Sequence, residues 1–163
     1  MSSDTLSALA TLAGAKLKAR GEMLVTAESC TGGWVAQAVT AIAGSSEWFE
    51  RGFVTYSDAA KQEMLGVSAR TLAEHGAVSE QTAREMAAGA LRHSRAQVAV
   101  AITGIAGPGG GSAEKPLGMV CFAWAEKEGA LTAQTRHFKG DRERVRRQSV
   151  LVALQGLLEL VEG

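Results

Sequence analysis

Three observations predict an α/β fold, a three-layer α/β/α arrangement with a mixed, mostly parallel sheet of about five strands and helices on both faces. Short apolar runs alternate with segments of helical period. One run, Gln97-Val98-Ala99-Val100-Ala101-Ile102, is apolar almost throughout, as a strand covered on both faces must be. Glycine-rich turns follow directly on strand ends, at Gly32-Gly33 and again after Thr103. With 163 residues, 46% of them hydrophobic, the chain is long enough for one substantial core, and residues 1–163 read as a single domain.

Leu6, Leu9, Ala10, Ala13 and Leu17 recur at three- and four-residue steps, which predicts an amphipathic helix over 5–20 closed by Gly21. Residues 23–26 form the first strand, and Val35, Ala38, Val39 and Ile42 carry a helix from near Trp34 to near Gly44. Residues 45–51 read as a connecting turn with Trp48 and Phe49 as packing anchors. A second strand is expected over 52–56, then a short helix containing Lys61, Met64 and Leu65 and capped by Ser57-Asp58. Ser68 heads another short helix to His75, and Ser79 a longer one to Ser94 with Thr82, Met86, Ala90 and Leu91 down one face. The third strand, 97–102, enters the glycine-dense segment 103–112. Strands over 117–124 and 131–138 suit a hairpin about Glu126-Lys127-Glu128-Gly129. The last helix, 141–161, has a capping Asp141, an arginine-rich start and the apolar series Val145, Val152, Leu157 and Leu160. No internal repeat, low-complexity tract or linker interrupts the chain.

Seventeen basic residues balance seventeen acidic ones, which removes the global electrostatic case for a nucleic-acid partner. Cys30 and Cys121 belong to no metal-ligand or Cys-x-x-Cys spacing, which argues for a reduced, cytoplasmic setting and against structural zinc. The start Met1-Ser2-Ser3-Asp4 has no basic region before its apolar residues, so no signal peptide is expected. No uncharged apolar run is long enough for a bilayer, so the protein is expected to be soluble, without a membrane partner.

The stretch Thr26-Ala27-Glu28-Ser29-Cys30-Thr31-Gly32-Gly33 is a strand entering a glycine turn and a helix start. Such a turn offers unpaired main-chain N–H groups at the positive end of a helix, suited to a phosphate or an oxyanion, with Ser29 beside them. On position alone Ser29 reads more readily as a helix cap than as a nucleophile. Cys30 has no cation next to it in sequence and is expected to pack inward. Neither the dinucleotide fingerprint, the P-loop, Gly-x-Ser-x-Gly nor Ser-x-x-Lys is present at these loops.

What remains is Ser29 at one strand end, Tyr56 at the next and Lys61 five residues later, which an open parallel sheet brings to one edge. A lysine withdrawn from water loses proton affinity and can act as a base, directly or with Tyr56 relaying the proton. A solvated Lys61 and a half-buried Tyr56 are the plainer alternative. The loop Gly104-Ile105-Ala106-Gly107 can bring main-chain N–H groups against a ligand or simply turn at the surface. Arg142 and Arg146, one helical turn apart, are candidates for a phosphate, although such a face is usually just solvated. His75, His93 and His137 are scattered and carry no assigned role.

Read together, Ala27-Glu28-Ser29-Cys30-Thr31-Gly32-Gly33, Gly52-Phe53-Val54-Thr55-Tyr56-Ser57 with Lys61, His75-Gly76-Ala77-Val78-Ser79, Thr103-Gly104-Ile105-Ala106-Gly107-Pro108 and Lys115-Pro116-Leu117-Gly118 strongly resemble the nicotinamide-nucleotide amidases, the PncC or CinA carboxy-terminal-domain family. The resemblance covers nearly the whole chain in order. It implies a cytoplasmic bacterial enzyme, a stand-alone version of the domain, that hydrolyses the carboxamide of nicotinamide mononucleotide to nicotinate mononucleotide and ammonia in pyridine nucleotide recycling. It also implies a homo-oligomer and no metal or other cofactor. The family's serine, tyrosine and lysine fall on Ser29, Tyr56 and Lys61, and Thr103 is implied to line the site. Main-chain N–H groups of Cys30, Thr31, Gly32 and Gly33 are then expected to hold the oxyanion, with the glycine loop and Arg142 or Arg146 on the phosphate. A serine amidohydrolase for another small amide and a non-catalytic nucleotide-binding module are the competing readings.

Overall fold

The computed structural model describes residues 3–162. Met1 and Ser2, part of the stretch read for a signal peptide, lie outside the described residues. The elements follow the order α1 (Ser3–Arg20), β1 (Leu24–Glu28), α2 (Trp34–Thr40), β2 (Phe49–Val54), α3 (Asp58–Leu65), α4 (Ala69–His75), α5 (Glu80–Arg92), β3 (Val98–Gly104), β4 (Met119–Glu126), β5 (Leu131–His137) and α6 (Arg142–Glu162). The five strands form one sheet in the order β2-β1-β3-β4-β5. β1 pairs parallel with both β2 and β3, β3 pairs antiparallel with β4, and β4 with β5, so only β4 runs against the rest.

The strand alternation divides the core into two layers. Val98, Val100 and Ile102 of β3 face a cluster with Leu17 of α1, Val35 of α2 and Leu154 of α6. Ala99 and Ala101 face the other side, where Ala83, Ala87 and Ala90 of α5 and Leu65 of α3 complete a second cluster. Small side chains on this second side let helices come close. A Cβ on Gly89 of α5 would lie 1.9 Å from the Leu65 carbonyl oxygen.

Helix boundaries follow local chemistry. Ser57, Ser68 and Ser79 each accept a hydrogen bond from the main-chain N–H three residues on, heading α3, α4 and α5. Asp141 Oδ1 accepts from Arg144 N–H at 2.9 Å and starts α6. α1 ends at Gly21, whose φ of 66° lies in the left-handed region. The hairpin turns at Glu126, whose oxygen accepts from Gly129 N–H at 3.0 Å.

β2 differs from its expected place. It begins at Phe49, inside the stretch read as a turn, and ends at Val54. Residues 41–48 connect α2 to it and include a 3-10 turn over Ser45–Glu47, after which Trp48 N–H closes on Ser45 O and Leu24 N–H on Trp48 O. Trp48 is buried, as expected of an anchor, against Gly14 of α1. β1 likewise runs two residues further than expected, to Glu28, because all five of its residues are buried.

This topology sets the site. From β1 the chain crosses to β2 on one side and later to β3 on the other, so a crevice opens at the carboxyl end of β1. Glu28 is in register with Val54 and Ile102, Ser29 N–H donates to Ile102 O at 2.9 Å, and Thr55 N–H donates to Glu28 O at 2.9 Å. The residues that follow the three strand ends are therefore neighbours.

Candidate active site

Lys61 projects from the first turns of α3 into the end of the sheet and is 1% exposed. Its Nζ donates to Ser29 Oγ at 2.9 Å, to Thr55 O at 2.8 Å and to Tyr56 O at 3.1 Å. Ser29 Oγ also donates to Tyr56 O, at 3.4 Å. Burial holds the Lys61 amine below the usual lysine range, against a weaker opposite pull from the Asp58 carboxylate. A neutral amine has two N–H groups and one lone pair. With the two carbonyls, which can only accept, taking the N–H groups of the neutral amine, its lone pair is left for the Ser29 hydroxyl, whose proton then turns from the Tyr56 carbonyl to Nζ and reverses the donor direction of this contact.

Tyr56 contributes differently from the expected relay. Its carbonyl meets Ser29 and Lys61, while its side chain is 63% exposed and its hydroxyl accepts from Arg142 Nη2 at 3.3 Å. Thr55 and Tyr56 leave β2 in a turn that directs both carbonyls at the lysine, and the phenol consequently projects to the rim.

The capping of α2 falls to a residue given no role from the sequence. Gly33 stands at the cap position with φ 105° and no side chain to offer. Glu28, 1% exposed, supplies its carboxylate instead. Its Oε1 accepts from Thr31 Oγ1 at 2.6 Å and Val35 N–H at 2.9 Å, and its Oε2 accepts from Ala36 N–H at 3.0 Å. Ser29 is thereby free of the capping role. The positive end of α2 is also already served by a carboxylate, so it is not the open anion site expected of it. An acid closing a strand just before a glycine pair was the available signal.

Of the loop N–H groups, that of Gly32 closes on Ser29 O at 3.0 Å, while those of Thr31 and Gly33 have no partner among the described residues. Cys30 packs inward at 5% exposure, and burial, reinforced by the Glu28 carboxylate, pushes its thiol up to about 12, with its own N–H pulling the other way. It is a protonated, inert thiol at neutral pH.

A cleft of about 210 Å³ opens over this group, lined by Ser29, Cys30, Tyr56, Lys61, Ala77, Val78, Thr103, Gly104, Ala106 and Arg142. Thr103 is buried, and its hydroxyl donates to Ala77 O at 2.8 Å, tying β3 to the wall between α4 and α5. Ala77 and Val78 also line the cleft, and as small apolar side chains they carry no chemical signal in the sequence that would mark them as site residues. Thr31, Gly32, Gly33, Ile105, Gly107 and Arg146 stand outside this lining. Ile105 instead continues the β3–β4 ladder, donating to Met119 O and accepting from Gly118 N–H, and the Gly107 carbonyl accepts from Arg142 Nη1 at 2.7 Å. Among the described residues no three His, Cys, Asp or Glu side chains gather as a metal site, and no helix is long and apolar enough to cross a membrane.

The family model described as the CinA C-terminal domain matches residues 6–161. A relative from Escherichia coli (strain K12), named nicotinamide-nucleotide amidohydrolase PncC, is 57% identical over 157 residues, covering 96% of this chain and 95% of its own. A protein of the same name from Pseudomonas putida is 48% identical over 157 residues, covering 96% of this chain and 98% of its own. Among solved structures, the competence/damage inducible protein CihA from Agrobacterium tumefaciens superposes with a TM-score of 0.93 at 50% identity, over 96% of this chain and 95% of that one. A match of this extent, on a sheet edge built as described, identifies the chain as a member of the CinA C-terminal domain family.

Proposed function

We propose that this chain is a nicotinamide-nucleotide amidase, hydrolysing the carboxamide of nicotinamide mononucleotide to nicotinate mononucleotide and ammonia. The observation that carries the reading is the 2.9 Å contact between the buried Lys61 amine and the Ser29 hydroxyl. The names of the relatives from Escherichia coli and Pseudomonas putida support the choice of substrate.

Ser29 Oγ attacks the carboxamide carbon while neutral Lys61 takes the hydroxyl proton. The negative charge passes to the amide oxygen, where the N–H of Cys30, the loop residue after Ser29 that lines the cleft, stabilises it by about 3 kcal/mol. The tetrahedral species collapses as the C–N bond breaks, and Lys61 returns the proton to the leaving nitrogen, which departs as ammonia. Water then attacks the acyl-enzyme, Lys61 takes its proton, and that proton ends on Ser29 Oγ as the acid leaves. The Thr55 and Tyr56 carbonyls hold the lysine throughout, stabilising the ammonium form once it has gained its proton.

The cleft, about 210 Å³, suits the carboxamide-bearing ring, and the ribose and phosphate then extend past Tyr56 toward Arg142 and the glycine loop. Two free, buried cysteines accord with action in a reducing cytoplasm, and the family likeness supports a homo-oligomer. The test is ammonia release from nicotinamide mononucleotide beside the unphosphorylated riboside and free nicotinamide. Strong preference for the nucleotide is expected, and equal rates on all three point to a general small-amide hydrolase. Binding of the nucleotide by calorimetry with no ammonia released points to a binding module.

A further inference from the structure

Arg142 and Arg146 lie one turn apart on α6, yet the structure gives them different surroundings. Arg142 is exposed at the rim of the cleft, with Nη1 on Gly107 O and Nη2 on the Tyr56 hydroxyl. Arg146 is half-buried behind the nucleophile loop. Its Nε donates to Cys30 O at 3.0 Å, its Nη2 donates to Thr31 O at 3.2 Å, and its guanidinium lies 5.5 Å from the centroid of the Trp34 ring. A planar fork stacked on an aromatic face is a rigid donor pair, here spent on two consecutive carbonyls immediately after Ser29.

In a trans peptide the carbonyl and the following N–H point opposite ways. Holding Cys30 O and Thr31 O toward α6 therefore turns the N–H groups of Thr31 and Gly32 away from it. That of Gly32 closes on Ser29 O, and that of Thr31 has no partner among the described residues although Thr31 is fully buried. Thr31 stands outside the cleft lining, so what the arginine holds is the shape of the loop that carries Ser29 and Cys30, the two loop residues that do line the cleft. Glu28 holds the Thr31 side chain from the other side, so the loop is braced twice.

We infer that Arg146 is a positioning residue that fixes the nucleophile loop at the peptides directly after Ser29, and that Arg142 alone of the pair serves the substrate phosphate. This deepens the amidase reading and rests on it. Without the guanidinium the Cys30 carbonyl loses this donor and the Thr31 carbonyl keeps only Trp34 N–H, so the loop beside Ser29 loosens, and the loss falls on the transition state and leaves ground-state binding intact.

The test compares Arg146→Ala, Arg146→Gln and Arg142→Ala with the wild type on nicotinamide mononucleotide and on its unphosphorylated riboside. Arg146→Ala is expected to lower kcat about a hundredfold with KM within about threefold and the preference for the phosphorylated substrate intact. Arg142→Ala is expected to raise KM for the nucleotide about tenfold or more and to shrink that preference. Loss of the preference in Arg146→Ala, or an unchanged kcat, overturns the inference. If Arg146→Ala does not fold, Arg146→Gln is read by the same criteria.

A fluorophosphonate supplies a readout that needs no amide substrate. Ser29 Oγ bonds to phosphorus, fluoride leaves, Lys61 takes the hydroxyl proton, and the phosphoryl oxygen occupies the oxyanion position. Labelling of Ser29, followed by mass, is expected to slow about tenfold or more in Arg146→Ala, and a wild-type rate in that variant overturns the inference. A wild type that labels readily but releases no ammonia from the nucleotide refutes the substrate and leaves the loop inference standing. A wild type that does neither refutes both.

Discussion

Lys61 Nζ stands 2.9 Å from Ser29 Oγ, with its remaining hydrogen bonds committed to the carbonyls of Thr55 and Tyr56. Because those carbonyls can only accept, the amine's orientation is set by its surroundings, and its neutral form presents a lone pair to one hydroxyl. Ser29→Ala and Lys61→Met are each expected to lower kcat by about 10⁴ or more, and the double variant to be little worse than either, as for groups that act as one unit. Lys61→Met removes an amine that burial disfavours in its charged form but also takes the donor from the Thr55 and Tyr56 carbonyls, so the two effects oppose and the variant should stay folded with a melting temperature close to that of the wild type. Additive losses in the double variant would show that the two side chains act in separate steps.

The pH dependence follows from the same burial. The folded Lys61 amine lies below its ordinary 10.5, with desolvation as the main cause. The neutral amine is the base, so kcat/KM should rise with pH through the depressed value and level off above it. Between that value and 10.5 the unfolded chain binds one more proton at this lysine than the folded chain, so stability also increases with pH across this window. Denaturant titrations of wild type and Lys61→Met over the alkaline range measure the second effect, and the slope difference should vanish in the variant. A rate inflection at or above 10.5 contradicts the assignment of Lys61 as base.

Glu28 holds Thr31 and the first turn of α2 through three hydrogen bonds made out of contact with water. Glu28→Ala leaves those donors unserved and should cost at least about 2 kcal/mol, read as a lower denaturant midpoint at constant m-value. Glu28→Gln keeps one acceptor oxygen and should lose less. Equal stability of both variants and the wild type would mean that water replaces the carboxylate.

Gly89 tests the link between packing and chemistry. A Cβ there meets the Leu65 carbonyl at 1.9 Å, so Gly89→Ala must push α3 away from α5. Overpacking of this kind costs about 1–3 kcal/mol or more. Because α3 also carries Lys61, the variant should lose activity at temperatures where it remains folded, with kcat falling more than KM changes. Full activity would show that α3 shifts as a unit with the β2 end.

Cys30 neighbours the nucleophile without sharing its chemistry. With its thiol pushed up to about 12 by burial, it should resist iodoacetamide at neutral pH in the native state and react on unfolding. Cys30→Ala should retain amidase activity within about tenfold while losing roughly 1 kcal/mol of stability. Rapid native-state alkylation with loss of activity would place a thiolate in the site.

Much of this architecture was legible from residue patterns alone. The spacing of Leu6, Ala10, Ala13 and Leu17 marked α1, the serines at 57, 68 and 79 marked three helix starts, and the all-apolar run ending at Ile102 marked the central strand. These are local signals, because a period or a cap is written within a few neighbouring residues. Parallel strands bring Ser29 and Lys61 to one edge, but a solvated Lys61 is the plainer reading of the residues, and only the family resemblance gives the two a shared role. Only the assembled molecule determined which atoms of the neighbours surround the lysine. Tyr56 offers its carbonyl in place of its phenol, because the turn after β2 aims the peptide inward and the ring outward. Arg146 reaches a loop 116 residues away while Arg142 stays at the cleft. Peptide orientation, burial and the proton affinity that burial sets are decided by segments remote in sequence packing against one another, and no local pattern encodes them.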